Sequence, residues 1–286
     1  LGSDEDVLAR VGALQTVTWK VLVGEDAWDS TAGDETNVDE TEEFAPGRGI
    51  YITVVYERAC YVAILLRSQR EHRDGSGSGF QRFPLLLTRM PGSLRETFTE
   101  FLESSFDARI SVLRIGRSYL PSTLESYVRN CLVGEDGGDM SVEESSGTLK
   151  RILKDVQVVI GFDLPSGSTS LKTIDIVIAR EDLPRLLQSG SKIPKKQLAK
   201  EGPKMPFMDA LTLYVDAHLA LNLGHEDVNI LRVACGAFVL GAEGKVKLTE
   251  PIASDADKVQ AHATSILIDD LIELAEGQGM SEVGDS

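Results

Sequence analysis

At 286 residues the chain is long enough for one large domain or two modest ones, and its 42% hydrophobic content supports a sizeable core. A formal net charge of −16 disfavours general binding to nucleic acid or anionic lipid, because the long-range field repels phosphate; a local basic patch stays compatible with it. No stretch approaches about 18 uninterrupted apolar residues, so no membrane span is predicted.

The first predicted element is a strand at Leu14 to Val23. Val17, Trp19 and Val21 alternate there with Thr16, Thr18 and Lys20, the pattern of a strand with one face buried. Residues 24–47 follow with nine acidic side chains and no basic one. Such a run reads as a solvated, disordered loop, with capture of a basic partner as the functional alternative. Ile50 to Tyr56 and Cys60 to Leu66 are β-branched and aromatic, and the short Glu57-Arg58-Ala59 link predicts an antiparallel hairpin. Residues 68–82 form a Gly/Ser loop; its GSGSG core is linker chemistry and not a dinucleotide fingerprint, since no helix follows. Phe83 to Leu87 predicts a third strand of this group.

Pro91 suits the first turn of a helix reaching Phe106, with Leu94, Phe98, Phe101 and Leu102 on one stripe. Ile110 to Ile115 predicts a strand and Ser122 to Leu132 a helix. The Gly/acid stretch Val133 to Ser146 is the best internal boundary. Beyond it come a short helix from Thr148 to Lys154, and strands at Val156 to Leu164 and Leu171 to Ala179 joined by a PSGSTS loop. A helix follows from Arg180 to Gln188, then a basic Gly/Pro loop over 189–206. Asp209 to Leu223 is strongly amphipathic, with Leu211, Tyr214, Val215, His218 and Leu219 as its apolar stripe, and is expected to end near Gly224. Val228 to Leu240 and Lys245 to Leu248 read as strands split by Gly241-Ala242-Glu243-Gly244, and a helix from Asp257 to Ala275 closes the fold.

These elements predict an α+β protein: a large twisted, mostly antiparallel sheet with helices packed on one face. Its organisation is an N-terminal half over 1–132, a C-terminal half over 146–276, and a disordered tail at 277–286. The halves share an order of hairpin, helix and strand. Ile110 to Ile115 (ISVLRI) and Val228 to Val233 (VNILRV) match in pattern, so a pseudo-repeat is expected that would make Arg114 and Arg232 equivalent.

Chemical motifs are sparse. Cys60, Cys131 and Cys235 lie scattered in apolar contexts with no CxxC, which fits a reducing compartment and three small core residues. The chain starts at Leu1 without a charged-then-apolar leader, and reads as part of a longer intracellular protein. Among His72, His218, His225 and His262 there is no HxxxH or HExxH, so no metal and no cofactor are predicted; His218 reads as a core imidazole. Gly241 to Lys245 resembles a phosphate loop only in its glycines, because a strand follows where a helix is required; a tight turn is the expectation. The loop carrying Arg185, Lys192, Lys195, Lys196, Lys200 and Lys204 is the one place suited to phosphate. Lys192, Lys195, Lys196 and Lys200 are its candidate contacts, with a solvated loop as the plain alternative.

Two segments carry a likeness. FPLLLTRMPGSLRETFTEFLESSFDARISVLRI (Phe83 to Ile115) and MDALTLYVDAHLALNLGHEDVNILRVACGAFVLGAEGKVKL (Met208 to Leu248) together resemble fungal inner-kinetochore subunits of the centromere protein L family. Gly12 to Leu22 and the acidic loop fit the same style. The resemblance implies a nuclear, centromeric, non-enzymatic scaffold. It would pair with a centromere protein N-like subunit, meet other inner-kinetochore subunits, and help link centromeric chromatin to the kinetochore for chromosome segregation, with weak contact to centromeric DNA. It implies that the C-terminal sheet serves the pairing. Carried onto this chain, that names Val228, Ile230, Arg232, Phe238, Leu240, Lys245 and Lys247 as partner-binding residues, through a sheet edge whose main chain a partner strand can satisfy. The competing class is an α+β enzyme acting on a nucleotide or phosphorylated substrate near Lys245 and the basic loop, which a pocket converging on His218, Lys245 or Arg232 would favour.

Overall fold

The computed structural model describes residues 11–22, 48–67, 82–133, 142–163, 172–194, 204–249 and 256–283. The acidic loop 24–47, most of the Gly/Ser loop 68–82, the PSGSTS loop, and Lys195, Lys196 and Lys200 lie outside them. The chain forms two compact units: residues 1–111 with 271–286, and residues 112–270.

In the first unit, β1 (Leu14–Leu22), β2 (Gly49–Tyr56), β3 (Cys60–Leu66) and β4 (Leu85–Arg89) form an antiparallel sheet in that order. β4 begins two residues later than the sequence suggests. One sheet face sets Ile52 opposite Ala63 and Ile50 opposite Leu65. Helix α1 (Gly92–Phe106) lays Phe98 and Leu102 on Ile52 and Ala63, with Ile50, Leu65, Leu86, Met90 and Ile110 around them. Pro91 stands one residue ahead of the helix, and its carbonyl accepts from the Arg95 N–H at 2.9 Å. Ahead of β1, Gly12 adopts φ +78°, which lets residues 11–13 close against the β2–β3 turn: the Glu57 N–H donates to Ala13 O and the Arg58 N–H to Val11 O.

The second unit is built on five antiparallel strands in the order β6-β5-β7-β8-β9. They are β5 (Val156–Phe162), β6 (Thr173–Ile178), β7 (Val228–Ala234), β8 (Phe238–Gly241) and β9 (Val246–Leu248). Helices α2 (Tyr119–Asn130), α3 (Val142–Ile152), α4 (Leu183–Ser191) and α5 (Pro206–Leu219) belong to this unit, and α6 (Ala256–Val283) begins in it. The core side carries Val158, Ile160, Val233, Phe238 and Leu240, all at or below 1% exposure. Against it, α2 brings the Tyr127 ring to 4.8 Å from Phe238, and the Tyr127 hydroxyl lies 3.2 Å from Thr264 Oγ1.

The antiparallel α+β class therefore stands, with the strands divided between two sheets. Several local expectations change. Val228 to Leu240 is a hairpin, broken at Cys235-Gly236-Ala237, where the Gly236 N–H donates to Leu153 O at 2.6 Å. A Cβ on Gly236 would sit 2.6 Å from Ile152 O, so only glycine lets this turn back onto the end of α3. Ile110 to Ile115 forms no strand: β-branched composition is insufficient where no neighbouring strand supplies a ladder. The six-residue likeness to Val228–Val233 is thus not a shared strand, and Arg114 and Arg232 are not equivalent at that level. By compactness the chain divides after Ser111, with α2 packing into the second core. α2 starts three residues early since Pro121 fits its first turn, where no donor is needed. α5 ends at Leu219, short of the expected Leu223. Ala220 takes the left-handed conformation (φ 51°) and its N–H donates to Asp216 O. α6 runs to Val283, past both the expected end at Ala275 and the start of the expected tail.

Candidate partner-binding surface

The β-ladder sorts the seven proposed partner-binding residues onto opposite faces of one sheet. Val228, Ile230, Phe238 and Leu240 point into the core, at 9%, 8%, 1% and 1% exposure. Their side chains offer little surface to a partner. Arg232 sits opposite Val159 on one side and Gly241 on the other, Lys247 opposite Val239, and both cations are exposed. Lys245, also exposed, precedes β9 at the same end and lies 3.5 Å from Glu243. Strand alternation therefore gives the face away from the core Arg232 and Lys247, with Lys245 at its rim.

Main-chain pairing narrows the edge reading too. β7 pairs with β5 and β8, and β8 pairs with β7 and β9, so neither is an edge. Among the described residues, only β9 and β6 end this sheet. β9 is three residues long with Lys247 at its centre, the short, charged form that limits strand addition.

Three N–H groups of the glycine turn before β9 are engaged within the fold. The Gly241 N–H donates to Lys245 O at 2.9 Å, the Ala242 N–H to Leu231 O at 2.8 Å, and the Gly244 N–H, at φ +79°, to Gly241 O at 3.0 Å. Donors spent on the turn cannot cradle a phosphate. His218 is exposed, contrary to the core expectation, and stacks on Tyr214 at 4.4 Å. Tyr214 and Leu219 are exposed with it, so only Leu211 and Val215 of that stripe enter the core. The sheet covers less of α5 than its periodicity suggests.

Of the candidate phosphate contacts, Lys192 is described; it is exposed just beyond α4, its N–H donating to Ser189 O. At the far end of the basic loop, Lys204 Nζ donates to Ser191 O at 2.5 Å, and Arg129 reaches Lys204 O at 3.5 Å. The described ends of the loop are thereby held close.

Two residues that organise this unit carry no sequence signal. Arg117 directs one guanidinium nitrogen at three carbonyls leading into β7: His225 at 3.2 Å, Glu226, and Val228, the strand's first residue, at 2.9 Å. Glu125, at 3% exposure, accepts the Met208 N–H at 3.0 Å and so caps the start of α5. Burial pushes its carboxyl above the ordinary range, partly offset by the Met208 and Phe207 N–H groups and by Arg129. Burial likewise pushes the Cys131 and Cys235 thiols up, which suits inert core cysteines; Cys60 is exposed. Among the described residues, no group of three or more His, Cys, Asp or Glu could hold a metal ion, and no helix is long and apolar enough to cross a membrane.

These features define an α+β protein with two antiparallel sheets, whose assigned residues divide between core and exposed cations. The family model for centromere protein L matches residues 1–276, and the chain belongs to that family. That is a structural kinetochore family. The chain is accordingly a centromere and kinetochore protein of the nucleus, concerned with chromosome segregation and associating with other kinetochore subunits. No curated protein matches it.

Proposed function

We propose that this chain is a non-catalytic scaffold of the inner kinetochore that pairs with a centromere protein N-like subunit through the outer face of its five-stranded sheet. The observation that carries this is the segregation of Arg232, Lys245 and Lys247 away from the core, beside the open edge of β9. A partner there meets cations on a chain of net charge −16, which gives the contact electrostatic specificity. Linking centromeric chromatin to the kinetochore follows from that pairing. Weak contact with centromeric DNA belongs to the basic loop beside Lys192.

The test is co-expression with a centromere protein N family subunit, followed by light scattering. A one-to-one complex is expected, weakened about tenfold or more when Arg232, Lys245 and Lys247 are all changed to glutamate. A complex indifferent to that triple change would place the interface elsewhere. Absence of a complex at micromolar concentration would refute the pairing. For DNA, the expected result is affinity that falls as salt rises and disappears on charge reversal of Lys192 and the lysines after it.

A further inference from the structure

An irregularity in β7 decides which way Arg232 points. The pairing with β5 slips by one residue: Val159 stands opposite Arg232 and Ile160 opposite Ile230, so Leu231 is an extra residue in the strand. Strict alternation from Ile230, which faces the core, would turn residue 232 inward as well. The bulge resets the phase. Leu231 and Arg232 are both exposed, and Val233 takes the buried position.

Two glycines make room on the same outer face. A Cβ on Gly161 would meet the Leu231 side chain, with its Cγ at 2.8 Å. A Cβ on Gly241, which pairs with Arg232, would meet the carboxylate of Glu243, with Cδ at 2.8 Å and Oε1 at 3.0 Å. On its other side the Gly241 N–H donates to Lys245 O at 2.9 Å. Arg232 and Lys245 therefore flank a strand position that has no side chain of its own. The Glu243 carboxylate lies over that gap, 3.5 Å from Lys245 Nζ. Lys247, two residues on, shares the face. Among the described residues, the side chains of Arg232 and Lys247 form no hydrogen bond or ion pair. Asp175, the other carboxylate on Arg232's row, stands two strands off beyond Val159 and accepts from Gln157 Nε2 at 3.2 Å.

Three cations thus surround a glycine-floored slot that the chain fills with its own carboxylate. We propose that this slot binds a carboxylate side chain on an acidic segment of a partner protein, and that Glu243 holds that group's place in the free chain. The incoming Asp or Glu displaces Glu243, takes over its contact with Lys245, and engages the guanidinium of Arg232. A phosphate fits less well, because the N–H groups of Gly241, Ala242 and Gly244 are spent inside the turn. That the partner is the pairing subunit rests on the reading above; the slot rests on the bulge in β7 and the bare position at Gly241.

The probe is the capped peptide Val-Glu-Val-Glu-Val, with Val-Gln-Val-Gln-Val as control. Each is titrated into the full chain while the Gly241 amide and Arg232 Nε–H resonances are followed. The glutamate peptide should shift both resonances and the glutamine peptide neither, with binding that weakens as salt rises. Glu243→Gln should tighten binding about threefold by removing the internal competitor. Glu226→Gln, which removes the same charge from an exposed position before β7, should change it less than about twofold. Gly241→Ala alters no charge and meets the mobile end of the Glu243 side chain, so the melting temperature should hold; its methyl fills the slot and should weaken the peptide about tenfold. If that variant fails to fold, Arg232→Gln, an exposed change, carries the same expectation.

Equal responses to the two peptides, equal gains from Glu243→Gln and Glu226→Gln, or no shift up to ~10 mM peptide would overturn the proposal. So would a stronger response to inorganic phosphate, or a dimer of the peptide-free chain that Arg232→Gln breaks, which would put a second copy on this face. The pairing is read out separately. Peptide binding at the slot, without a complex with a centromere protein N-like subunit, supports the slot and refutes the pairing. A complex unaffected by Gly241→Ala and Arg232→Gln leaves the pairing in place and overturns the slot.

Discussion

The four-stranded sheet ends at β1, nine residues with Val17, Trp19 and Val21 in solvent, whereas the five-stranded sheet ends at β9, three residues centred on Lys247. Both sheets are antiparallel meanders at these ends, so topology does not separate them. Burial does. In the second unit, β5, β7 and β8 pack against helices, and most of their apolar side chains are core, Leu231 being an exposed exception. In the first, α1 covers β2 and β3 and leaves β1 bare. The second sheet ends on this side in the short, charged β9 and presents cations outward beside it. Among the described residues, the first presents apolar surface beside an edge strand with one pairing neighbour.

The largest test of this contrast is truncation in each sheet. Phe238→Ala should cost about 3–5 kcal/mol in urea unfolding, because a ring buried against Tyr127 leaves a cavity. Trp19→Ala, removing a larger side chain, should cost about 1–2 kcal/mol in the free chain, since 42% of its surface already faces solvent. Equal costs would break the comparison.

Gly190→Ala should follow in size, at about 1–3 kcal/mol or more, because its Cβ would fall 1.6 Å from Pro206 O, where the end of α4 meets the start of α5. Thermal melting measures it. Glu125→Ala should cost about 1–2 kcal/mol by stripping the α5 cap. Glu125→Gln sharpens that result through pH. A carboxyl whose folded pKa is raised above 4.5 contributes stability below the unfolded value and loses it as pH rises through the folded one. The unaltered chain should therefore lose stability relative to Glu125→Gln from pH 4.5 toward neutrality; a difference of opposite sign would refute burial as the dominant cause. The smallest effect is a gain. Ala220→Gly should add about 0.5–1 kcal/mol at the left-handed end of α5, read as a rise in melting temperature.

Legibility followed the range of the forces involved. Alternation placed β1, β2 and β3 within a residue, and the α1 stripe named Phe98 and Leu102, because these patterns arise from local geometry. The turn at Gly241 to Gly244 was readable for the same reason. Arg117 and Glu125 were not: their carbonyl and N–H partners lie on average a hundred residues away, and nothing local marks an arginine as a clamp or a glutamate as a cap. Within the proposed partner-binding set, periodicity did not separate the two faces. Its cations are outward, but Val228, Ile230, Phe238 and Leu240 belong to the core, since a resemblance names a region and strand alternation divides it.

By itself the sequence determined which segments have strand or helix periodicity, where acidic and basic runs fall, and the family to which the chain belongs. Those properties depend on neighbours along the chain. Only the tertiary structure decided that Ile110 to Ile115 goes unpaired, that β7 is interior, and that Trp19 stands in solvent while Phe238 does not. A ladder needs a second strand and burial needs a covering layer, and both are supplied by residues distant in sequence.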